Sequence, residues 1–111
     1  DKAGLFDEDY FLYGEDLDLC FRIKQAGYKI TYVPNVKIIH YKGVTSGIKK
    51  HSQDFSTANK KSSQQALDSF YQTMKIFYKK NLEDKYPFLI NWLVYWGINI
   101  KWWLARRSLN V

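Results

Sequence analysis

The stretch GEDLDLCFRIKQAGY, Gly14 to Tyr28, limits the fold of this chain more than any other. Glu15, Asp16 and Asp18 place three carboxylates in four consecutive positions. Behind them Leu19, Cys20, Ile23 and Ala26 recur at helical spacing, and Gly27 supplies a residue that tolerates the left-handed backbone of a helix stop. The pattern predicts a helix from Glu15 with its acidic residues in the first turn, where the helix dipole favours anions. That dipole accounts comfortably for one of the three charges. A catalytic edge that keeps a base ready would use more.

The charge distribution separates two regions. The 111 residues carry a net charge of +6, yet residues 1–28 hold seven acidic against three basic residues, a balance of −4. The rest holds four acidic and fourteen basic residues, a balance of +10. An acidic site near the start and a basic remainder facing phosphate or anionic lipid are expected. The length allows at most one domain with a modest core. Because residue 1 already reads as mid-domain sequence, a piece of a longer protein is expected. The single Cys20 makes no internal disulfide, fits a reducing compartment and reads as a small buried apolar residue.

Residues 4–13 (GLFDEDYFLY) are acidic and aromatic without a sustained period, which predicts a turn packed by its rings. YKITYVP alternates β-forming residues and closes at Pro34, so a strand is predicted there, with a second over VKIIHY ending near His40. Residues 42–59 read as a polar surface loop. From about Ser63 a helix is predicted, because Leu67, Phe70, Tyr71, Met74, Phe77 and Tyr78 form a stripe suited to core packing.

The last segment holds all four Trp residues. Its apolar run, Phe88 to Leu104, falls short of the ~20 residues that span a bilayer and is interrupted by Asn91, Asn99 and Lys101. On a helical wheel Leu89, Leu93, Trp96, Ile100, Trp103 and Leu104 share one side and the polar residues lie opposite. Trp92, Trp96, Trp102 and Trp103, followed by Arg106 and Arg107, suit the headgroup region, so a helix lying in a membrane surface is expected. Burial of the same face against another domain is the alternative.

Asp16 opens a predicted helix and His40 ends a later predicted strand, and a return of the chain can bring such ends together. A carboxylate and an imidazole meeting there suit proton transfer or a divalent metal. Residues 4–46 resemble family 2 glycosyltransferases, inverting enzymes that use nucleotide sugars, over the later part of their catalytic domain. The likeness is carried by Phe6-Asp7-Glu8, Phe11, Tyr13, Glu15-Asp16-Leu17-Asp18-Leu19 with Arg22, Gly27-Tyr28, Tyr32-Val33-Pro34, His40, Gly43 and Ser46. It is nearest to bacterial enzymes of surface polysaccharide synthesis, including the rhamnosyltransferase-like branch.

The resemblance implies an α/β fold, the C-terminal half of a GT-A domain over residues 1–48. A basic loop and amphipathic helix over 49–85 and a Trp-rich membrane-surface helix over 86–111 would follow. It implies Asp16 as general base with Glu15 beside it, and His40 as a ligand to Mg²⁺ or Mn²⁺. Asp7, Glu8, Lys42, Gly43 and Ser46 are implied on the donor and acceptor side. The expected partners are a nucleotide-diphospho-sugar donor, a saccharide or lipid-linked acceptor, and the cytoplasmic face of a bacterial plasma membrane.

Asp18 and Arg22, four apart on one helix, read instead as an ion pair. The family's nucleotide-binding half, which carries its Asp-x-Asp metal motif, is not found in these residues, and Asp7-Glu8-Asp9 lies in the wrong place relative to Glu15-Asp16 to replace it, so activity is expected only of a longer protein. A non-enzymatic membrane-anchoring module is the competing reading. Nucleic-acid binding is disfavoured, because the aromatics form apolar stripes rather than alternating with Lys or Arg. A Ca²⁺ loop in DEDYFLYGEDLD fails on its acidic spacing and Gly position.

Overall fold

The computed structural model describes residues 2–39 and 59–109. Their regular structure is three α-helices, α1 (Glu15–Gln25), α2 (Lys60–Asn81) and α3 (Phe88–Leu109), with a 3-10 turn at Glu83–Lys85. The described residues contain no strand, which overturns the expected α/β, GT-A-type architecture. Residues 28–33 and 36–39 are rich in β-formers, but a strand exists only through a ladder to a neighbour. Among the described residues no such ladder ties either segment to the rest, and Ile38 and Ile39 are 83% and 84% exposed. The end of the second predicted strand, with His40, lies outside the described residues.

The predicted boundaries of α1 hold. Gly27 adopts φ +87°, and the amides of Gly27 and Tyr28 donate to Lys24 O (3.1 Å) and Ile23 O (3.2 Å). Those two bonds satisfy carbonyls that a helix end leaves unpaired. Helix α2 begins three residues before the expected Ser63, because Asn59 caps it: the Asn59 side chain accepts from Ser62 N at 2.8 Å.

Helix α2 is the spine of the described residues. On one side Phe77 meets Phe21 of α1 edge to face at 5.4 Å, and Phe70 meets Tyr13 at 6.0 Å. On another, Tyr78 meets Tyr95 of α3 at 5.6 Å and donates through its hydroxyl to Asn91 Oδ1 at 2.7 Å. Asn91 in turn donates to Glu83 O and Tyr86 O, which fixes the angle at which α3 leaves the 3-10 turn. The buried apolar residues are few: Tyr10, Ala66, Leu67 and Tyr78. The stripe predicted as core on α2 is therefore only partly buried, since Phe70 and Met74 stay 42% and 37% exposed. Cys20, read as buried, is half-buried.

Helix α3 is turned inside out relative to an ordinary amphipathic helix. Asn91, Tyr95, Trp102 and Arg106 engage α2, while Leu89, Leu93, Trp96, Trp103 and Leu104 face outward, each about half exposed or more. The apolar side named from the helical wheel is the outer one. No described helix is long and apolar enough to cross a membrane.

Candidate active-site turn before the first helix

The acidic residues are presented by an unusual turn. Tyr13 and Gly14 both lie in the left-handed region, with φ of +76° and +85°. That conformation is costly for Tyr13, so something must hold it. Thr73 of α2 does so, its hydroxyl donating to Tyr13 O at 2.9 Å. The same contact explains Gly14: a Cβ there would run into Thr73 Cγ2. The mouth of α1 is thus pinned to the middle of α2.

From this turn the carboxylates diverge, because residues two apart on a helix do not share a face. Asp18 points inward and is 1% exposed. It accepts from Arg22 Nε (2.7 Å), Asn81 Nδ2 (2.9 Å) and the Tyr10 hydroxyl (3.1 Å). Burial alone would push its carboxyl up, but the bonds from Asn81, Arg22 and Tyr10, with the Arg22 charge, outweigh it and hold it below the usual carboxylate range. Burial and the bond to Asp18 push the Tyr10 hydroxyl well up, so it stays a donor. Arg22 also donates to Ala3 O and to Leu5 O, tying the N-terminal segment to the same point. The pairing of Asp18 with Arg22 read from the sequence is present, and it anchors the turn.

Asp16 points the other way. It is exposed, and its Oδ1 accepts from Leu17 N at 2.7 Å. Glu15 is half-buried, with Oε2 enclosed and without a hydrogen-bond partner among the described residues. A buried carboxylate oxygen left unpaired is rare in a folded protein and marks a place where a donor belongs. The residues expected on the acceptor side divide. Glu8 is exposed, whereas Asp7 is 2.5 Å from Lys80 Nζ, which also reaches Asp9 at 2.5 Å. The hydrogen bonds from Lys80 and from Asp9 N hold the Asp7 carboxyl below its ordinary value, and Lys80 is raised in return.

His40, Lys42, Gly43 and Ser46 lie outside the described residues. Among the described residues no group of three or more His, Cys, Asp or Glu side chains could hold a metal ion. Asp7, Asp9 and Asp18 are committed to Lys80 and Arg22, so the described residues alone do not make a Mg²⁺ or Mn²⁺ site.

At the other end, Trp102 Nε1 donates to Asp68 Oδ1 of α2 at 2.6 Å, and Arg106 stands 3.4 Å from the same carboxylate and 5.2 Å over the Trp102 ring. Trp102 and Arg106, expected at a membrane, are thus turned onto α2. Trp92 and Trp96 stack on the outside at 6.1 Å, and Arg107 lies 4.3 Å over Trp103. Sequence reasoning missed Thr73 and Asn81, which form one face of α2 with Phe77. Their spacing of four was the available signal.

Short stretches of this chain are similar to known rhamnosyltransferases. It is 44% identical over 46 residues to N-acetylglucosaminyl-diphospho-decaprenol L-rhamnosyltransferase of Mycobacterium tuberculosis, a match covering 41% of this chain and 15% of that protein. It is 53% identical over 40 residues to rhamnosyltransferase WbbL of Escherichia coli K12, covering 36% of this chain and 15% of that protein. The matched part thus spans about 15% of the length of these curated relatives. No family model and no solved structure matches. The similarity supports a glycosyltransferase-like relationship.

Proposed function

We propose that this chain carries the general-base turn of an inverting, family 2-type glycosyltransferase of bacterial surface polysaccharide synthesis. The donor would be a nucleotide-diphospho-sugar. The acceptor would be a saccharide or lipid-linked saccharide, met at the cytoplasmic face of the plasma membrane. One contrast carries the reading. The turn pinned by Thr73 buries Asp18 as an anchor and leaves Asp16, two residues earlier, exposed at the helix mouth. A base must stand where an acceptor hydroxyl can come within ~3 Å of it. The likeness to proteins named rhamnosyltransferases supports the same chemistry.

In this reading Asp16 accepts the proton of the acceptor hydroxyl as that oxygen bonds to the anomeric carbon. The bond from that carbon to the diphosphate oxygen breaks on the opposite face, and the nucleoside diphosphate leaves with its electron pair. Glu15, beside Asp16, would orient the loop or the acceptor. A divalent cation on His40 would draw its other ligands from outside the described residues, and no step here depends on it. The test is sugar transfer by the intact protein carrying Asp16→Asn. Near-complete loss with unchanged folding is expected, and retained transfer would end the proposal.

A further inference from the structure

Helix α3 turns Asn91, Trp102 and Arg106 onto α2 and leaves its apolar side without cover among the described residues. Asn91 is bonded to Tyr78, and Trp102 and Arg106 to Asp68. The opposite side presents Leu89, Leu93, Trp96, Trp103 and Leu104 at 48–65% exposure. A water-facing surface helix would carry the reverse pattern. The charge on α3 is one-signed: it contains Lys101, Arg106 and Arg107 and no Asp or Glu. Arg106 is occupied by Asp68, whereas Lys101 and Arg107 are exposed. Arg107 rests on Trp103, which keeps its charge beside the apolar face.

Trp residues with Lys and Arg at the rim, and no acid, match the boundary between acyl chains and anionic headgroups. We infer that the outer face of α3 docks on an anionic phospholipid bilayer, with Trp96 and Trp103 at headgroup depth and Lys101 and Arg107 on lipid phosphates. The Asp68 latch on Trp102 and Arg106 sets which face is offered. The inference deepens the membrane placement proposed above but needs none of the sugar chemistry, so the two can fail separately.

The test is flotation of the full chain with vesicles of phosphatidylglycerol and phosphatidylcholine, beside phosphatidylcholine alone, with no sugar donor present. The chain should float with the anionic vesicles, and lipids brominated along the acyl chain should quench its Trp emission. Trp96→Ser with Trp103→Ser should weaken binding at least about tenfold, from the apolar area no longer buried. Lys101→Glu with Arg107→Glu should cost about fivefold per charge removed, on the anionic vesicles only. All these side chains are at least half exposed or charged, so circular dichroism of the variants should match the parent. A chain that stays in solution with both vesicle types, that floats without quenching, or that merely pairs with a second copy through this face overturns the inference.

Discussion

Asp16 and Asp18 are two residues apart, yet one is exposed and the other buried, and exchanging each for Asn separates the two. In Asp18→Asn the amide keeps the shape but not the charge, leaving Arg22 without its counter-ion and three donors aimed at a poorer acceptor. Breaking a buried ion pair costs about 3–5 kcal/mol. The Arg22 side chain is 26% exposed, which places this pair near the lower end, about 3 kcal/mol. For a domain of this size that lowers the midpoint of thermal unfolding by about 10 °C or more. Asp16→Asn removes only an exposed charge favourable to the helix dipole and keeps an oxygen for Leu17 N, a cost of about 0.5 kcal/mol. Thermal melts followed by circular dichroism, with urea titrations beside them, measure both. Equal destabilisation by the two variants, or a neutral Asp18→Asn, would refute the division of labour.

Two further outcomes follow from the same turn. Gly14→Ala meets both a positive φ and the Thr73 methyl, so it should destabilise by about 1–3 kcal/mol in urea unfolding. Asp18 and Asp7 both have carboxyls held below their ordinary value in the folded state. The stability they contribute is complete above the unfolded value of about 4 and is lost as pH falls through the lower folded values. Melting temperature should therefore drop on acidification below about pH 4, and Asp18→Asn should flatten that dependence.

Helix α1 was legible because its signals are local: the acidic first turn, the apolar spacing and Gly27 all act within a few residues. The Asp18–Arg22 pair was legible for the same reason. The strands were not, because the preference of Tyr28 to Val33 for extended backbone says nothing about whether a partner lies alongside. On α3 the wheel named the apolar side that faces outward and placed Asn91 on the side that meets α2, although Lys101, grouped with Asn91, is exposed. It could not say that the polar side would turn inward, since that depends on Asp68 and Tyr78, which reach it from α2. The role of Thr73 is of the same kind, sixty residues from the carbonyl it holds. Contacts between distant segments decide where the carboxylates point, and a local pattern such as the spacing of Thr73, Phe77 and Asn81 marks a face without naming its partner.

The central claim is that the Asp16 carboxylate takes the proton from the acceptor. Its most direct test is single-turnover sugar transfer by the intact protein and by a folded Asp16→Asn variant, using the same nucleotide sugar and acceptor. A fall of about 10²–10⁴ in rate is expected, the usual share of a positioned general base. A variant that folds normally and transfers sugar within a few-fold of the parent rate would contradict it.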